Sequence, residues 1–409
     1  MSSRRLAVYV LALLAAANFL NYGSRNVLFP TYEDLRAGFG FSNAQLGLLG
    51  SAFMLSHALA TIPFGWAGDR FDRRRVIAAG LLLWSAAGLA AAAAGGFASM
   101  TAARALPGLG TPACVPVPNA LLCELFPAAH KARVISIFNL GLFLGGAAGF
   151  GFGAFLAWPL AFIVLALPGV VLAALIAAMP VPPRRGAAIA AGPGSLGELV
   201  AHARALLRLR TLRWLMVATT TMAFAAGGYT SWFFEFVSTT KGLGPDRATL
   251  VFGIALIGGL VGVVAGGIVA DRLRGRRAHG RLVAMSIGML TTVPFALLSI
   301  FIDRGWMLYA SSFGTMFFIS WYHGPMAATV DDLSSDDRAT TAQALVIFTM
   351  HLLGTAPSSF VVGLVVDATG LRVAMLVPTL ALGVAGLVLM GAWRSFAADA
   401  ALARTKRGA

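Results

Sequence analysis

Long apolar runs alternate with short, arginine-rich polar stretches along the whole chain. About 20 consecutive apolar residues suffice to cross the hydrocarbon core of a bilayer as a helix. Twelve runs reach that length, and each predicts a membrane-spanning helix. They lie at residues 6–28, 44–66, 76–96, 99–123, 134–157, 159–180, 212–236, 248–270, 282–302, 306–330, 339–366 and 371–393.

The longest polar break follows the sixth run. We therefore predict an N-terminal six-helix bundle at 1–180, a cytoplasmic linker at 181–211 and a C-terminal six-helix bundle at 212–409. Within the linker, Ser195 and Glu198 form a capping-box pattern, and the basic stretch after them predicts an amphipathic helix on the membrane surface. The predicted fold class is an all-α polytopic membrane protein with twelve transmembrane helices in two pseudo-symmetric six-helix bundles.

Composition agrees with this pattern. The 409 residues are 58% hydrophobic and 11% charged, and the mean hydropathy is +0.81, whereas soluble domains carry roughly 25% charged residues. The net charge of +15 would suggest nucleic acid in a soluble protein. Here 24 of the 31 basic residues fall on one predicted side of the membrane and five on the other. The positive-inside rule explains that asymmetry, places both termini in the cytoplasm and leaves no nucleic-acid partner.

Cysteine usage and the absence of ligand motifs predict neither a disulfide nor a metal. Cys114 and Cys123 lie nine positions apart in one apolar run, which on a helix is about 13 Å of rise and too far for a disulfide. No CxxC motif or His/Cys cluster is present, so we expect no metal and no cofactor. Only three of the basic residues are lysine, which indicates a GC-rich bacterial source and hence the inner membrane. We expect a monomer.

A short motif occurs twice, at corresponding places in the two halves. GWAGDRFDRRR begins at Gly65 and GIVADRLRGRR begins at Gly267, 202 positions later. The glycine permits close helix contact, and the aspartate can accept charge-assisted hydrogen bonds from nearby arginines. An internal duplication explains the spacing better than two ordinary basic loops do. The predicted gating residues are Gly65, Asp69, Arg70, Arg74, Gly267, Asp271, Arg272 and Arg276.

This repeat resembles the signature between helices 2 and 3 of the major facilitator superfamily, which is echoed between helices 8 and 9. The resemblance implies a secondary transporter whose two bundles rock around a central cavity. The second copy follows the pattern fully, whereas the first has Asp72 where the pattern has glycine.

Two arginines fall inside predicted spans. Arg25 lies near the end of the first and Arg104 early in the fourth. A charge at the bilayer centre costs roughly 2.5–3.5 kcal/mol on insertion scales, so such residues usually face a watery cavity or a partner. Two cations with few acidic neighbours predict an anionic head group as ligand. The alternative is that each side chain snorkels to an interface.

Aromatic residues, histidines and small residues complete the candidate set. Aromatic side chains crowd the seventh and tenth spans and predict contacts with an apolar tail, although such stripes are more often helix packing or an interfacial belt. Histidines in membrane spans titrate in a useful range but are more often packing residues. Glycines at spacing four indicate close helix–helix seams. They are Gly141, Gly145, Gly149 and Gly153 in the fifth span, and Gly258, Gly262 and Gly266 in the eighth.

Two further elements resemble the Spinster-like transporters and also the anion:cation symporters of organic acids. The first is Asn21-Tyr22-Gly23-Ser24-Arg25, and the second runs from Arg104 to Thr111. In both groups an aspartate and a glutamate occupy positions 24 and 111, and the resemblance implies that they couple transport to protons. Serine and threonine do not titrate, so that coupling is not carried over. The stretch from His351 to Ser359 resembles the Spinster pattern more specifically.

The leading hypothesis is a facilitator or exchanger that moves an anionic amphiphile, such as a lysophospholipid or sphingosine-phosphate-like lipid, by alternating access. The alternatives are a proton-coupled symporter of small organic anions and a multidrug antiporter, although Phe150 stands where the antiporter signature has proline. HExxH, GxSxG and P-loop motifs are lacking, so we do not expect an enzyme. The predicted substrate-binding residues are Asn21, Ser24, Arg25, His57, Arg104, Thr111, Tyr229, Trp232, Glu235, Phe317, Trp321 and His351.

Overall fold

Apolar runs in a bilayer form helices because a helix satisfies every backbone N–H and C=O within its own segment. The computed structural model describes residues 3–114, 116–126, 128–180, 204–303, 305–334 and 339–407, and these ranges contain helices and no strand. They contain twelve main helices, labelled α1 to α12 below. The predicted all-α membrane fold is confirmed.

The first six helices correspond to the first six apolar runs. Helix α4 is broken by a 3₁₀ turn, and a 3₁₀ turn and a short helix connect α1 to α2. The bounds are α1 Ser3–Asn26, turn Phe29–Thr31, short helix Tyr32–Phe39, α2 Asn43–Arg70, α3 Arg73–Ala92, α4 Phe97–Gly110 with turn Thr111–Cys114 and continuation Pro116–Leu125, α5 Ala128–Phe155, and α6 Trp158–Ala177.

The last six helices correspond to the remaining runs. Helix α10 is broken by a 3₁₀ turn, and α7 and α11 contain π-helical turns. The bounds are α7 Arg210–Glu235 with π turn Phe236–Thr240, α8 Gly244–Arg276, α9 Gly280–Phe301, α10 Trp306–Ile319 with turn Ser320–Tyr322 and continuation His323–Asp332, α11 Ala339–Thr349 with π turn Met350–Thr355 and continuation Ala356–Thr369, and α12 Leu371–Ala374 with Leu376–Arg407.

Several helices extend beyond their apolar runs. Helix α2 continues to Arg70, α8 to Arg276 and α12 to Arg407, because arginine ends a membrane-spanning stretch but is itself a good helix former. Eight helical stretches in the described ranges are long and apolar enough to cross a bilayer. Helices α4 and α10 are interrupted after 14 residues each.

Contacts divide the chain into two compact units. The first comprises residues 1–189, 243–249 and 359–367, and the second comprises 190–242, 250–358 and 368–409. The division between 180 and 212 stays a prediction. The amphipathic helix predicted in the linker falls on residues 181–203, which lie outside the described residues.

The glycines of α5 and α8 form seams inside their own units. In the first unit, a Cβ at Gly145 would overlap the carbonyl oxygen of Phe19 in α1. In the second unit, a Cβ at Gly262 would overlap the carbonyl oxygen of Phe317 in α10. The predicted close seams are confirmed, and their partners are α1 and α10.

A segment of α11 belongs to the first unit through specific contacts. The carboxylate of Asp367 accepts hydrogen bonds from the backbone N–H groups of Asn43 (3.0 Å) and Ala44 (2.8 Å), and from Asn43 Nδ2 at 2.8 Å. These donors stand at the N-terminus of α2, where backbone N–H groups lack helical acceptors. Asp367 therefore caps α2 with a negative charge, which the helix dipole favours.

A buried lysine joins the ends of two helices in the second unit. Lys241 directly follows α7 and is 5% exposed. It donates to the carbonyl oxygens of Ile300 (3.0 Å) and Ile302 (2.5 Å). Burial lowers its pKa, and Asp303, 3.5 Å away, opposes that shift. Arg372 donates to the same Asp303 carboxylate at 2.5 Å. The lysine thus satisfies carbonyls at the end of α9 that the helix itself leaves free.

Candidate functional site

A glycine on α4 sets the geometry of the candidate site in the first unit. A Cβ at Gly108 would overlap the Oγ of Ser56 and the carbonyl oxygen of Phe53, both on α2. Ser56 Oγ also donates to the carbonyl oxygen of Ala105 at 2.6 Å. The two backbones therefore lie in direct contact, and Arg104, four residues before Gly108, reaches over Phe53.

The guanidinium of Arg104 is buried among aromatic rings. The residue is 2% exposed, and its Cζ lies 5.4 Å from the ring centroid of Phe53 and 5.7 Å from that of Phe162 on α6. Its Nη1 donates to the carbonyl oxygen of Ser24 over a long 3.4 Å. Its Nε and Nη2 have no hydrogen-bond partner among the described residues. This burial contradicts the alternative in which Arg104 snorkels to an interface.

Arg25 approaches the same aromatic ring from α1. It is partly buried, its Cζ lies 5.9 Å from the Phe53 centroid, and its Nη2 lies 3.2 Å from Met54 Sδ. Ser24, the residue before it, is 4% exposed. The two arginines singled out by the sequence therefore share one ring, and a cation over an aromatic face is held there by the ring quadrupole.

His57 and Thr111 extend this cluster. His57 Nδ1 lies 2.7 Å from Thr111 Oγ1, and its ring stacks on Phe53 with centroids 6.0 Å apart and planes at 13°. Thr111 begins the 3₁₀ turn of α4 and is 2% exposed. A titratable imidazole therefore stands beside the position at which the resembling families have a carboxylate.

Contacts join five of the six residues predicted in this half, and Phe53 contacts three of them directly: Arg25, His57 and Arg104. Asn21 is buried at 6% exposure, and no contact is described for its side chain. Phe53 was not predicted as a site residue. The one sequence feature that links it to the site is its place one helical turn before His57 on α2, because residues i and i+4 share a helix face.

In the second unit, the predicted residues of α7 are buried, and Tyr229 contacts the neighbouring helix α12. The hydroxyl of Tyr229 forms a hydrogen bond with Thr379 Oγ1 of α12, and its ring packs edge-on against Phe233 with centroids 6.0 Å apart. Trp232 is fully buried and Glu235 is 4% exposed. These contacts tie α7 to α12, and a role in substrate binding stays a prediction.

The predicted residues of α10 are packed against neighbouring helices. Phe317 lies against Gly262, and Trp321 lies against Gly266, where a Cβ would come within 2.5 Å of the tryptophan Cα. Trp321 also contacts Gly288 of α9 in the same way. The contact of Phe317 is made by its backbone atoms, whereas that of Trp321 includes Cβ and Cγ of the side chain, which favours the packing interpretation for Trp321. His351 lies in the π turn of α11 and is partly buried.

The gating residues of the first motif copy are only partly described. The side chains of Asp69 and Arg70, and the surroundings of Gly65, lie outside the described part of the chain. Arg74 Nη1 donates to the carbonyl oxygen of Met179 at 2.7 Å, just beyond α6.

Asp72 has a local role that explains its departure from the motif. Its Oδ1 accepts from the backbone N–H of Arg74 at 3.0 Å and so caps α3. Its carboxylate also pairs with the Arg74 guanidinium at 2.6 Å, which lowers the pKa of Asp72. A glycine at this position would supply neither interaction.

The second motif copy differs from its prediction in two respects. A Cβ added to Gly267 would meet no described heavy atom within 4 Å, so this glycine makes no close helix contact in the described part of the chain. Asp271 lies 3.8 Å from Arg281 of α9, but its side chain is 76% exposed, and pairs so exposed contribute little. Arg272 and Arg276 are exposed. The firmer pair here joins Arg281 to Asp332 at 2.7 Å.

The described residues contain neither a candidate metal site nor a disulfide. They hold no group of three or more His, Cys, Asp or Glu side chains that could bind a metal ion. Cys114 is a buried free thiol, and the side chain of Cys123 lies outside the described residues.

Comparison with known sequences points to one family. The family model described as Major Facilitator Superfamily matches residues 14–352. The chain is 27% identical over 390 residues to Protein spinster homolog 3 of Danio rerio, across 90% of this chain and 78% of that protein. It is 28% identical over 389 residues to the Sphingosine-1-phosphate transporter SPNS2 of Mus musculus, across 87% and 69%.

Comparison with solved structures gives the same fold. A bacterial homologue of the human lysosomal transporter Spinster, in an inward-facing and unoccupied conformation, matches with a TM-score of 0.83 at 19% identity, over 96% of this chain and 98% of that one. The nucleoside transporter NupG matches with a TM-score of 0.76 at 14% identity, over 98% and 99%. At these identities the likeness shows the fold alone.

Proposed function

Because this chain belongs to the major facilitator superfamily, and is a membrane transporter rather than an enzyme, we propose that it moves an anionic amphiphile across the membrane as a facilitator or exchanger. A lysophospholipid or a sphingosine-phosphate-like lipid fits this description. We propose transport by alternating access, as a monomer in a bacterial inner membrane with both termini in the cytoplasm.

The observation that carries the proposal is the guanidinium of Arg104. It is buried, and two of its three nitrogens have no partner among the described residues. Leaving an ionised group in that state is expensive, so an anion that supplies two oxygens would be bound strongly. Arg25 lies over the same ring and brings a second cation close to Arg104. Phosphate and carboxylate groups match the fork of a guanidinium.

The surroundings of the two arginines favour a ligand with an apolar part. The ring of Phe53 lies below both guanidinium groups, and Phe162 and Met54 contact them. A fully hydrated anion gains little from such neighbours, whereas an amphiphile can bury apolar surface against them. The relative named as a sphingosine-1-phosphate transporter supports the same substrate class.

A flux assay with matched compounds tests this proposal. The full chain is reconstituted into liposomes, and uptake of sphingosine 1-phosphate is compared with that of sphingosine, which lacks the phosphate, and of glycerol 3-phosphate, which lacks the tail. We expect transport only of the compound that has both parts. Equal transport of glycerol 3-phosphate would contradict the requirement for a tail, and equal transport of sphingosine would contradict the requirement for an anion.

A second candidate is a proton-coupled symporter of small organic anions, and the pair formed by His57 and Thr111 favours it. Ser24 and Thr111 cannot titrate, whereas an imidazole can bind and release a proton, and that of His57 lies 2.7 Å from Thr111 Oγ1. In this mechanism His57, stacked on the ring that both arginines share, would couple proton uptake to anion binding.

Replacing His57 by glutamine separates the two candidates. Glutamine keeps a hydrogen-bonding group for Thr111 but does not titrate. If the protein is a proton symporter, a pH gradient drives accumulation of a sugar acid in the native chain, and H57Q abolishes that accumulation while downhill exchange continues. If it is a facilitator, a pH gradient drives no accumulation in either protein. Accumulation that persists in H57Q would exclude His57 as the coupling group.

A further inference from the structure

A cleft in the second unit lies between the start of α7 and the last turns of α12, apart from the cluster around Arg104. It has a volume of about 850 Å³, and its lining includes three arginines and two tryptophans. The residues that define it here are Arg208, Arg210, Trp214, Trp393, Arg394 and Asp399. Both helices and every lining residue belong to the same unit.

The cleft has an excess of positive charge that no ion pair among the described residues neutralises. Arg208, Arg210 and Arg394 are exposed and form no ion pair within the described ranges. The one carboxylate, Asp399, is already engaged, because its Oδ2 accepts from the backbone N–H of Thr211 at 2.7 Å and so caps α7. Three guanidinium groups are therefore available for an anion.

The tryptophans give the cleft an amphipathic wall. The indole of Trp214 is 43% exposed and packs on Gly391, where an added Cβ would lie 3.1 Å from the ring. The indole N–H of Trp393 is buried and has no acceptor among the described residues. Tryptophan is enriched where a membrane protein meets the head-group layer, because its ring is apolar and its N–H is polar.

From this geometry we propose that the cleft binds the phosphodiester head group of an anionic phospholipid of the surrounding bilayer. The arginines supply bidentate donors for the phosphate oxygens, Trp393 supplies a further N–H, and Trp214 lies against the glycerol and the first part of the acyl chains. The positive-inside rule places these arginines in the cytoplasmic leaflet. The lipid bound here is a fixed component of the transporter and is distinct from its cargo.

Thermal unfolding and native mass spectrometry of the purified full chain in detergent test this site. Dioleoylphosphatidylglycerol, dioleoylphosphatidylcholine and inorganic phosphate serve as probes. We expect phosphatidylglycerol to raise the melting temperature and to remain bound as one tightly held molecule, whereas the other two do neither. An equal effect of inorganic phosphate would show that a free anion suffices and would overturn the lipid assignment. No effect of phosphatidylglycerol would overturn the proposal altogether.

Charge-matched variants locate the effect. In the triple variant R208Q/R210Q/R394Q, the affinity for phosphatidylglycerol should fall at least about 100-fold, because each arginine lost removes a charge-assisted hydrogen bond to the phosphate, with a loss of roughly 10-fold for each. The control R5Q/R204Q/R277Q removes three exposed arginines from the same predicted side and should keep the affinity. Equal losses in the two variants would show that net charge alone explains the effect and would overturn the site. If the triple variant does not fold, R208Q and R394Q singly should each show about a 10-fold loss.

A variant of the proposed transport site distinguishes phospholipid binding in the cleft from substrate binding at Arg104. R104M removes the cation on which transport is proposed to depend, but that residue lies in the other unit. Its response to phosphatidylglycerol should equal that of the native chain. If R104M abolishes the response, the lipid binds at the transport site and the cleft is not the binding site.

Discussion

Replacing Arg104 by methionine should reduce transport of the anionic substrate at least 100-fold while raising the melting temperature of the protein. Two charge-assisted hydrogen bonds to the substrate would be lost, each worth about 1.5–3 kcal/mol, and every 1.4 kcal/mol corresponds to a factor of about ten. The same substitution removes a buried cation whose Nε and Nη2 lack partners in the described ranges. Apolar replacements of buried charged groups are often stabilising by about 1–4 kcal/mol.

The opposite directions of these two effects make the experiment decisive. Flux into liposomes measures the first effect, and thermal unfolding of the same purified sample measures the second. R213M, which removes an exposed arginine of α7, is the matched control and should change neither quantity. R104K should retain a small fraction of the flux, because it keeps the charge and loses the fork. A stable R104M variant with undiminished flux of every anionic substrate would contradict the proposed function.

Replacing Gly149 by valine should prevent α5 from packing on α1 and destabilise the protein by at least about 3 kcal/mol. A Cβ at Gly149 would overlap the carbonyl oxygen of Gly23. Overpacking usually costs about 1–3 kcal/mol when side chains can adjust. Here the obstacle is backbone, so one helix has to move away from the other along a seam that continues at Gly145 and Gly153.

The same helix provides the control for this prediction. A Cβ at Gly151 would meet no described heavy atom within 4 Å, so Gly151→Val changes the same residue type on the same helix without an obstacle. The yield of monodisperse protein and its melting temperature should fall sharply for G149V and stay near native values for G151V. Similar losses in both variants would mean that valine disturbs the helix itself rather than the seam.

The twelve helices could be predicted from the sequence because one requirement dominates each apolar run: backbone polar groups in lipid must form hydrogen bonds within their own segment. Helix ends were less predictable. Helix α12 continues 14 residues beyond its predicted end at 393 because polar residues can extend a helix outside the membrane. The 3₁₀ turn at Thr111 and the π turns of α7 and α11 depend on local packing that periodicity does not reveal.

Sequence pointed most directly to the candidate residues whose burial in a membrane is physically expensive, and their role in binding stays a prediction. Arg25 and Arg104 were identified because a charge in an apolar run demands a reason, and contacts place both beside Phe53. Aromatics were less informative. The sequence around Trp321 looks the same whether this residue contacts a substrate or packs against a helix. Its contact with Gly266 in the structure favours packing. Phe53 was missed because an aromatic ring in an apolar helix is unremarkable until its neighbours are known.

The broken helices α4 and α10 match each other closely. Each has 14 residues before its 3₁₀ turn and 10 after it. Two independent origins would have to yield the same lengths twice, whereas copying one jointed helix yields them at once. The matched lengths therefore support the internal duplication that the repeated motif predicts. A transporter that arose from the same duplication should keep both joints whatever it carries.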